Sequence, residues 1–203
     1  MMQLYCVGDS FVYGYGVTPR QRWTELCAQA LGWPVQNLGV NGDTLPGMLA
    51  RLQGRLLPAL ERDRAAAAQS MVLICGGYND IFCAGTDSAA RACAAAIFQQ
   101  LLAAGVCPVA LIPPRSVTDA VPESWRALAD PAAVAPVLDA YGDWLKQYCA
   151  VFQIPALDLR PVFTDAGANP RRTLYLDGIH PSPEGHAIIA EAVAALLREV
   201  SQT

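Results

Sequence analysis

The 203-residue chain predicts an α/β protein: one three-layer α/β/α sandwich built on a five-stranded parallel sheet. Three observations lead there. Short apolar runs alternate with longer segments of helical periodicity from end to end, which is the pattern of strand–helix–strand crossovers. No repeat, long linker or break in composition divides the chain, so residues 1–203 read as a single domain. A chain of this length buries roughly 70% of the surface it exposes when unfolded, enough for apolar layers on both faces of a sheet.

Taken in order, the elements are these. Gln3 to Val7 is an apolar run that reads as a buried strand, ending at Gly8. Arg22 to Leu31 has helical spacing, and Val35 to Leu38 forms a second short strand ahead of Gly39. Leu45 to Leu60 reads as one helix, with Asp43 or Thr44 placed to cap it. Met71 to Cys75 is continuously apolar, as a strand covered on both faces must be, and Gly76-Gly77 ends it. Ser88 to Ala104 is helical, and Val106 to Ile112 is a strand stopped by Pro113-Pro114. Arg115 to Pro131 carries two prolines and weak periodicity, so it reads as a long surface loop with at most one short helix. Ala133 to Phe152 and Pro183 to about Glu199 are helices, with Pro155 to Leu157 a short strand between them. Ser182 suits the cap of the last helix, Pro183 its first turn, and Glu184 its positive end. Right-handed crossovers then leave few topologies besides a doubly wound sheet.

Composition excludes several function classes. The net charge is −4 and the basic residues are scattered, so no positive stripe invites nucleic acid. No apolar run approaches the roughly 20 residues of a membrane span. The N-terminus enters its first strand almost at once, leaving no room for a signal peptide. Seven cysteines make an odd set with no C-x-x-C pair, and Cys6, Cys75 and Cys107 lie in apolar runs. Reduced thiols packed as small hydrophobes, in a cytoplasmic protein, are the expectation rather than zinc ligands or disulfides.

The chemistry concentrates at loops that follow strands. Ser10, in Val7-Gly8-Asp9-Ser10-Phe11, sits just past the first strand, where a loop presents its hydroxyl to a cleft. Asp177-Gly178-Ile179-His180 sets a carboxylate three residues before an imidazole, immediately ahead of the last helix. Serine, histidine and aspartate are the parts of an acyl-transfer triad, and the chain has only two histidines. Gly42, in Asn41-Gly42-Asp43-Thr44, and Asn79, in Gly77-Tyr78-Asn79-Asp80, follow the second and third strands. A glycine N–H allows close approach, and an asparagine amide is a side-chain donor; both suit a developing oxyanion. Ser10, Gly42 and Asn79 all belong at the carboxyl edge of the sheet, where doubly wound folds form their clefts.

These four motifs resemble those of the SGNH (GDSL) hydrolase family of esterases and lipases. The likeness runs in family order from Gly8 to His186, and Trp23-Thr24-Glu25-Leu26 is similar to the first helix of the thioesterase and lysophospholipase branch. The resemblance implies a flavodoxin-like sheet, with Ser10 as nucleophile, His180 as general base and then acid, and Asp177 orienting the imidazole. It implies an oxyanion hole of the Ser10 and Gly42 N–H groups and the Asn79 side chain. It also implies a small-molecule ester or thioester substrate, and no metal or organic cofactor.

Duller readings stand beside these. Ser10 and Gly42 also suit plain turns, and Asp177 a turn carboxylate. Asp9 reads as a structural acceptor within its loop rather than a catalytic acid. His186, inside the last helix, reads as a packing or surface residue. Tyr13, Tyr15, Tyr78, Phe82 and Trp125 lie in or near carboxyl-edge loops, where they line a substrate pocket or join the core. Arg115 reads as a partner for an anionic group or as a solvated side chain. A carbohydrate O-deacetylase and a non-catalytic binding module are the rival functions. A Rossmann nucleotide site is disfavoured, because no G-x-G-x-x-G follows the first strand.

Overall fold

Five parallel strands form the sheet, in the order β2-β1-β3-β4-β5. The computed structural model describes residues 2–202. Along the chain these are β1 (Gln3–Gly8), α1 (Ser10–Tyr13), α2 (Trp23–Leu31), β2 (Val35–Gly39), α3 (Leu45–Arg51), α4 (Leu57–Arg62), α5 (Arg64–Ala68), β3 (Ser70–Cys75), α6 (Tyr78–Ala84), α7 (Ser88–Ala103), β4 (Cys107–Ile112), α8 (Glu123–Arg126), α9 (Pro131–Val151), β5 (Ala156–Asp158) and α10 (Pro183–Val200). The predicted fold class and all five predicted strands are present, with ends moved by a residue or so.

Strand alternation divides the core into two layers. Val72 and Ile74 of β3 face one side with Val7 of β1, under α3, α7 and α9. Met71, Leu73 and Cys75 face the other with Leu4 and Cys6, under α2 and α10. β1 is held by β2 and β3 together, with Cys6 opposite both Asn37 and Leu73. The chain moves one way from β1 to β2 and the other way to reach β3. The gap beyond the ends of β1 and β3 is therefore the switch point of the sheet.

Two local features depart from the sequence reading, and a third matches it. The helix expected from Leu45 to Leu60 is interrupted by a π turn over Leu52–Leu56 before α4 resumes. Pro58 has no N–H to give, and its ring crowds the carbonyl four residues back, so the helix widens just ahead of it. The short helices α1 and α6 span 4 and 7 residues, too few to show a helical period. The expected loop at Arg115–Pro131 does carry one short helix, α8, and is pinned to the body by the Val117 N–H donating to Gly178 O at 2.7 Å. The cap of α10 is as expected, with Ser182 Oγ accepting from the Gly185 N–H. All seven cysteines are free thiols. Among the described residues no helix is long and apolar enough to cross a membrane.

Candidate active site

Ser10 is the first residue of α1, separated from the end of β1 by Asp9 alone. Its N–H has no intrahelical acceptor, as for any residue in a first turn. Gly8 allows this abrupt exit: a Cβ there would lie 2.3 Å from Val12 Cγ2 and 2.5 Å from the Cys75 carbonyl. Asp9 caps the turn through Oδ1, which accepts from the Phe11 N–H at 2.9 Å. The expected structural role of Asp9 is thus present.

The Asp177–His180 turn comes from the far end of the chain. Gly178 holds φ +82°, and a Cβ on it would meet the Val117 carbonyl at 2.6 Å. Asp177 Oδ1 accepts from the Ile179 and His180 N–H groups, which fixes the carboxylate. Its Oδ2 lies 2.7 Å from His180 Nδ1, and His180 Nε2 lies 2.9 Å from Ser10 Oγ. Burial pushes the Asp177 carboxyl up, but the hydrogen bonds and charge of His180 outweigh it and hold Asp177 below its ordinary value. His180 is 1% exposed. The Tyr15 ring covers it at 4.5 Å, and Trp125 meets it edge-on at 5.5 Å.

Asn79 enters from α6, after the Gly77 turn at φ +107°. Its Nδ2 donates to the Asp43 carbonyl at 2.8 Å, with a longer contact to Asp9 Oδ2 at 3.4 Å. The loops after β1, β2 and β3 are tied together through this one amide. Asp9 is almost fully buried, and its carboxyl is pushed up to about 6 by burial. The Phe11 N–H and His180 lower it, while Asp43 and Asp80 raise it further. Asp80 is turned the other way, accepting from the Leu45 N–H through both oxygens.

These side chains share a cleft of about 480 Å³ of empty space with Phe11, Tyr78, Pro113, Pro114, Ser116, Trp125 and Ile179 on its walls. Ser10, Asn79, His180, Tyr78 and Trp125 are therefore brought together. Gly42 sits in the exposed loop after β2 at φ +74°, one residue from the Asp43 carbonyl that holds Asn79. Phe82 is a correction: it is 4% exposed and packs in the core, behind Tyr78 at 5.8 Å, because α6 turns that face inward. Arg115 is also absent from this cleft; it pairs with Asp139 and lines a neighbouring one. His186 is fully buried and accepts from the Trp23 N–H through Nδ1. Pro113, Pro114 and Ser116 were missed by sequence reasoning, although their position just past β4 marked them for the same edge. Among the described residues no cluster suited to a metal ion occurs.

A search of the curated proteins finds no matching sequence. Solved structures match across the chain. The aryl esterase of M. smegmatis is 18% identical with TM-score 0.77, covering 98% of this chain and 99% of that one. Est24, described as a carbohydrate acetylesterase from Sinorhizobium meliloti, is 18% identical with TM-score 0.75, covering 98% and 100%. A member of the lipolytic protein G-D-S-L family from Veillonella parvula is 18% identical with TM-score 0.76, covering 98% and 99%. At these identities the likeness is one of fold. Family membership comes from the sequence itself: the model of the GDSL-like lipase/acylhydrolase family matches residues 6–188, from within β1 into α10. The chain belongs to that family, and it is a hydrolase of the SGNH type.

Proposed function

We propose that the protein is a serine esterase that cleaves small or medium acyl esters or thioesters through an acyl-enzyme on Ser10. The observation that carries this is the unbroken chain Ser10 Oγ, His180 Nε2, His180 Nδ1, Asp177 Oδ2, with contacts of 2.9 and 2.7 Å, opening on a cleft. Ser10 Oγ attacks the carbonyl carbon as His180 Nε2 takes the hydroxyl proton, and the carbonyl oxygen becomes an oxyanion. Asp177 holds the proton on Nδ1 and offsets the charge of the imidazolium. The Ser10 and Gly42 N–H groups and the Asn79 amide are the proposed oxyanion donors. The long Asn79 contact to Asp9 is the one an oxyanion displaces at least cost. His180 then protonates the leaving alcohol or thiol. Water, activated by the same Nε2, cleaves the acyl-enzyme and restores Ser10.

The test is hydrolysis of p-nitrophenyl esters by wild type beside folded Ser10→Ala, with phosphonate labelling read by mass spectrometry. Turnover should fall by roughly 10⁶ in the variant, as in triad serine knockouts of proteases, and the label should sit on Ser10. Equal rates in both proteins sink the proposal. The fold shared with a carbohydrate acetylesterase motivates a second reading, O-deacetylation of sugars by the same groups. Acetylated sugars assayed against aryl and acyl esters separate the two. Seven free thiols also support the cytoplasmic placement proposed for the chain.

A further inference from the structure

A second cleft of about 570 Å³ of empty space adjoins the first. The two share Tyr78, Pro113, Pro114 and Ser116 as a common wall. Tyr78 stands in that shared wall beside Ser116, and its ring is backed by Phe82 at 5.8 Å. Beyond it the walls are mainly apolar, from Ile112, Pro114, Ala135, Leu138 and Tyr141. The far end is charged but already neutralised. Arg160 is committed to Asp158, Asp143 and the Asp139 carbonyl, Arg115 pairs with Asp139, and Lys146 lies 4.0 Å from Asp158, so three cations face three carboxylates. An ionic ligand finds no unmatched charge there, and a sugar finds few free polar groups among the wall residues.

Resting on the esterase reading, we infer that this second cleft is a distal acyl compartment and that Tyr78 sets how far an acyl chain reaches. The leaving oxygen must sit at His180 Nε2 to receive its proton, so the alcohol belongs on the imidazole side. The acyl chain then passes the other wall, where Tyr78 precedes Asn79 on α6. An acetyl group fills the first cleft only, whereas an octanoyl chain continues past Tyr78 onto the apolar wall. Each methylene moved from water to such a wall contributes about fourfold.

The experiment compares kcat/KM across p-nitrophenyl esters from acetate to decanoate, and across acetates of alcohols of increasing length. Wild type, Ala135→Trp and Leu138→Trp are assayed as folded proteins, the two variants filling the compartment from different turns of α9. The octanoate-to-acetate ratio should exceed one in wild type and fall at least about tenfold in either variant, as expected for losing a few buried methylenes. An acetate optimum in wild type overturns the inference. So does an unchanged ratio in a folded variant, or a loss confined to the alcohol series. Ser10→Ala keeps the two claims apart: if it retains turnover the esterase reading fails, whereas an unchanged ratio alongside an inactive Ser10→Ala removes only the compartment.

Discussion

His186 and Asp9 make opposing contributions to stability on acidification, and the buried histidine can be isolated by substitution. Burial pushes the imidazole of His186 down to about 4 from 6.5, with help from the charges of His180 and Arg22. In the unfolded chain it titrates near its ordinary value, so between pH 6.5 and 4 the unfolded state binds the extra proton. Stability must therefore fall as pH falls through that window. The full shift is worth about 3 kcal/mol, and about 2 kcal/mol of it is lost between pH 7 and 5. Asp9 acts with the opposite sign. Its carboxyl is raised from 3.8 to about 6, so the folded state takes up a proton first, and stability rises by about 1 kcal/mol over the same interval. Asp177 titrates below the ordinary carboxylate value when folded, so its contribution is present above pH 3.8 and is lost only in stronger acid. The two opposing groups leave wild type with a shallow slope from pH 7 to 5. His186→Asn, which retains an acceptor near Trp23 N–H, should gain stability on acidification. Asp9→Asn should lose about 2 kcal/mol. Urea unfolding at pH 7, 6 and 5 measures both, and the cavity cost of the asparagine cancels because only the slope is read. A His186→Asn slope identical to wild type refutes the reasoning.

Three further outcomes follow from the site. Asn79→Ala should lower kcat by about 10²–10³ with a small effect on KM, if the amide is an oxyanion donor. Steady-state rates on a p-nitrophenyl ester decide it, and a near-normal kcat removes Asn79 from the hole. Asp177→Asn should cost about 10⁴ in kcat by analogy with protease triads, because the amide no longer fixes the imidazole tautomer. A loss of only a few-fold would show that His180 is held by other contacts. Gly178→Ala should lower stability by more than about 1 kcal/mol, because φ is +82° and the new Cβ faces the Val117 carbonyl at 2.6 Å. Thermal unfolding checks this, and an unchanged midpoint would mean that the turn relaxes freely.

Much of this protein was legible in order along the chain. Continuous apolar runs such as Met71–Cys75 mark strands covered on both faces, and Ser182-Pro183-Glu184 marks a helix start, because both signals are local. The candidate serine, glycine and asparagine were recognisable because a doubly wound sheet sends every strand-following loop to one edge. What escaped depended on packing. The π turn ahead of α4 answers a proline inside an otherwise regular pattern, and α1 and α6 are too short for periodicity to show. Phe82 and Trp125 looked equivalent in sequence, as aromatics near the carboxyl edge. The turn of α6 buries Phe82 behind Tyr78, whereas the segment pinned by Val117 to Gly178 sets Trp125 against His180. Arg115 suits an anionic ligand by residue type, yet Asp139 on α9 claims it from 24 residues away. Likewise, His186 was expected to be a packing or surface residue, and only the meeting of α2 and α10 buries it against the Trp23 N–H. The sequence by itself determined which groups can do the chemistry and which strand ends carry them, since those depend on residue type and local period. Tertiary structure alone decided which aromatic meets the imidazole and where a second cleft opens, since both depend on side chains brought together from distant segments.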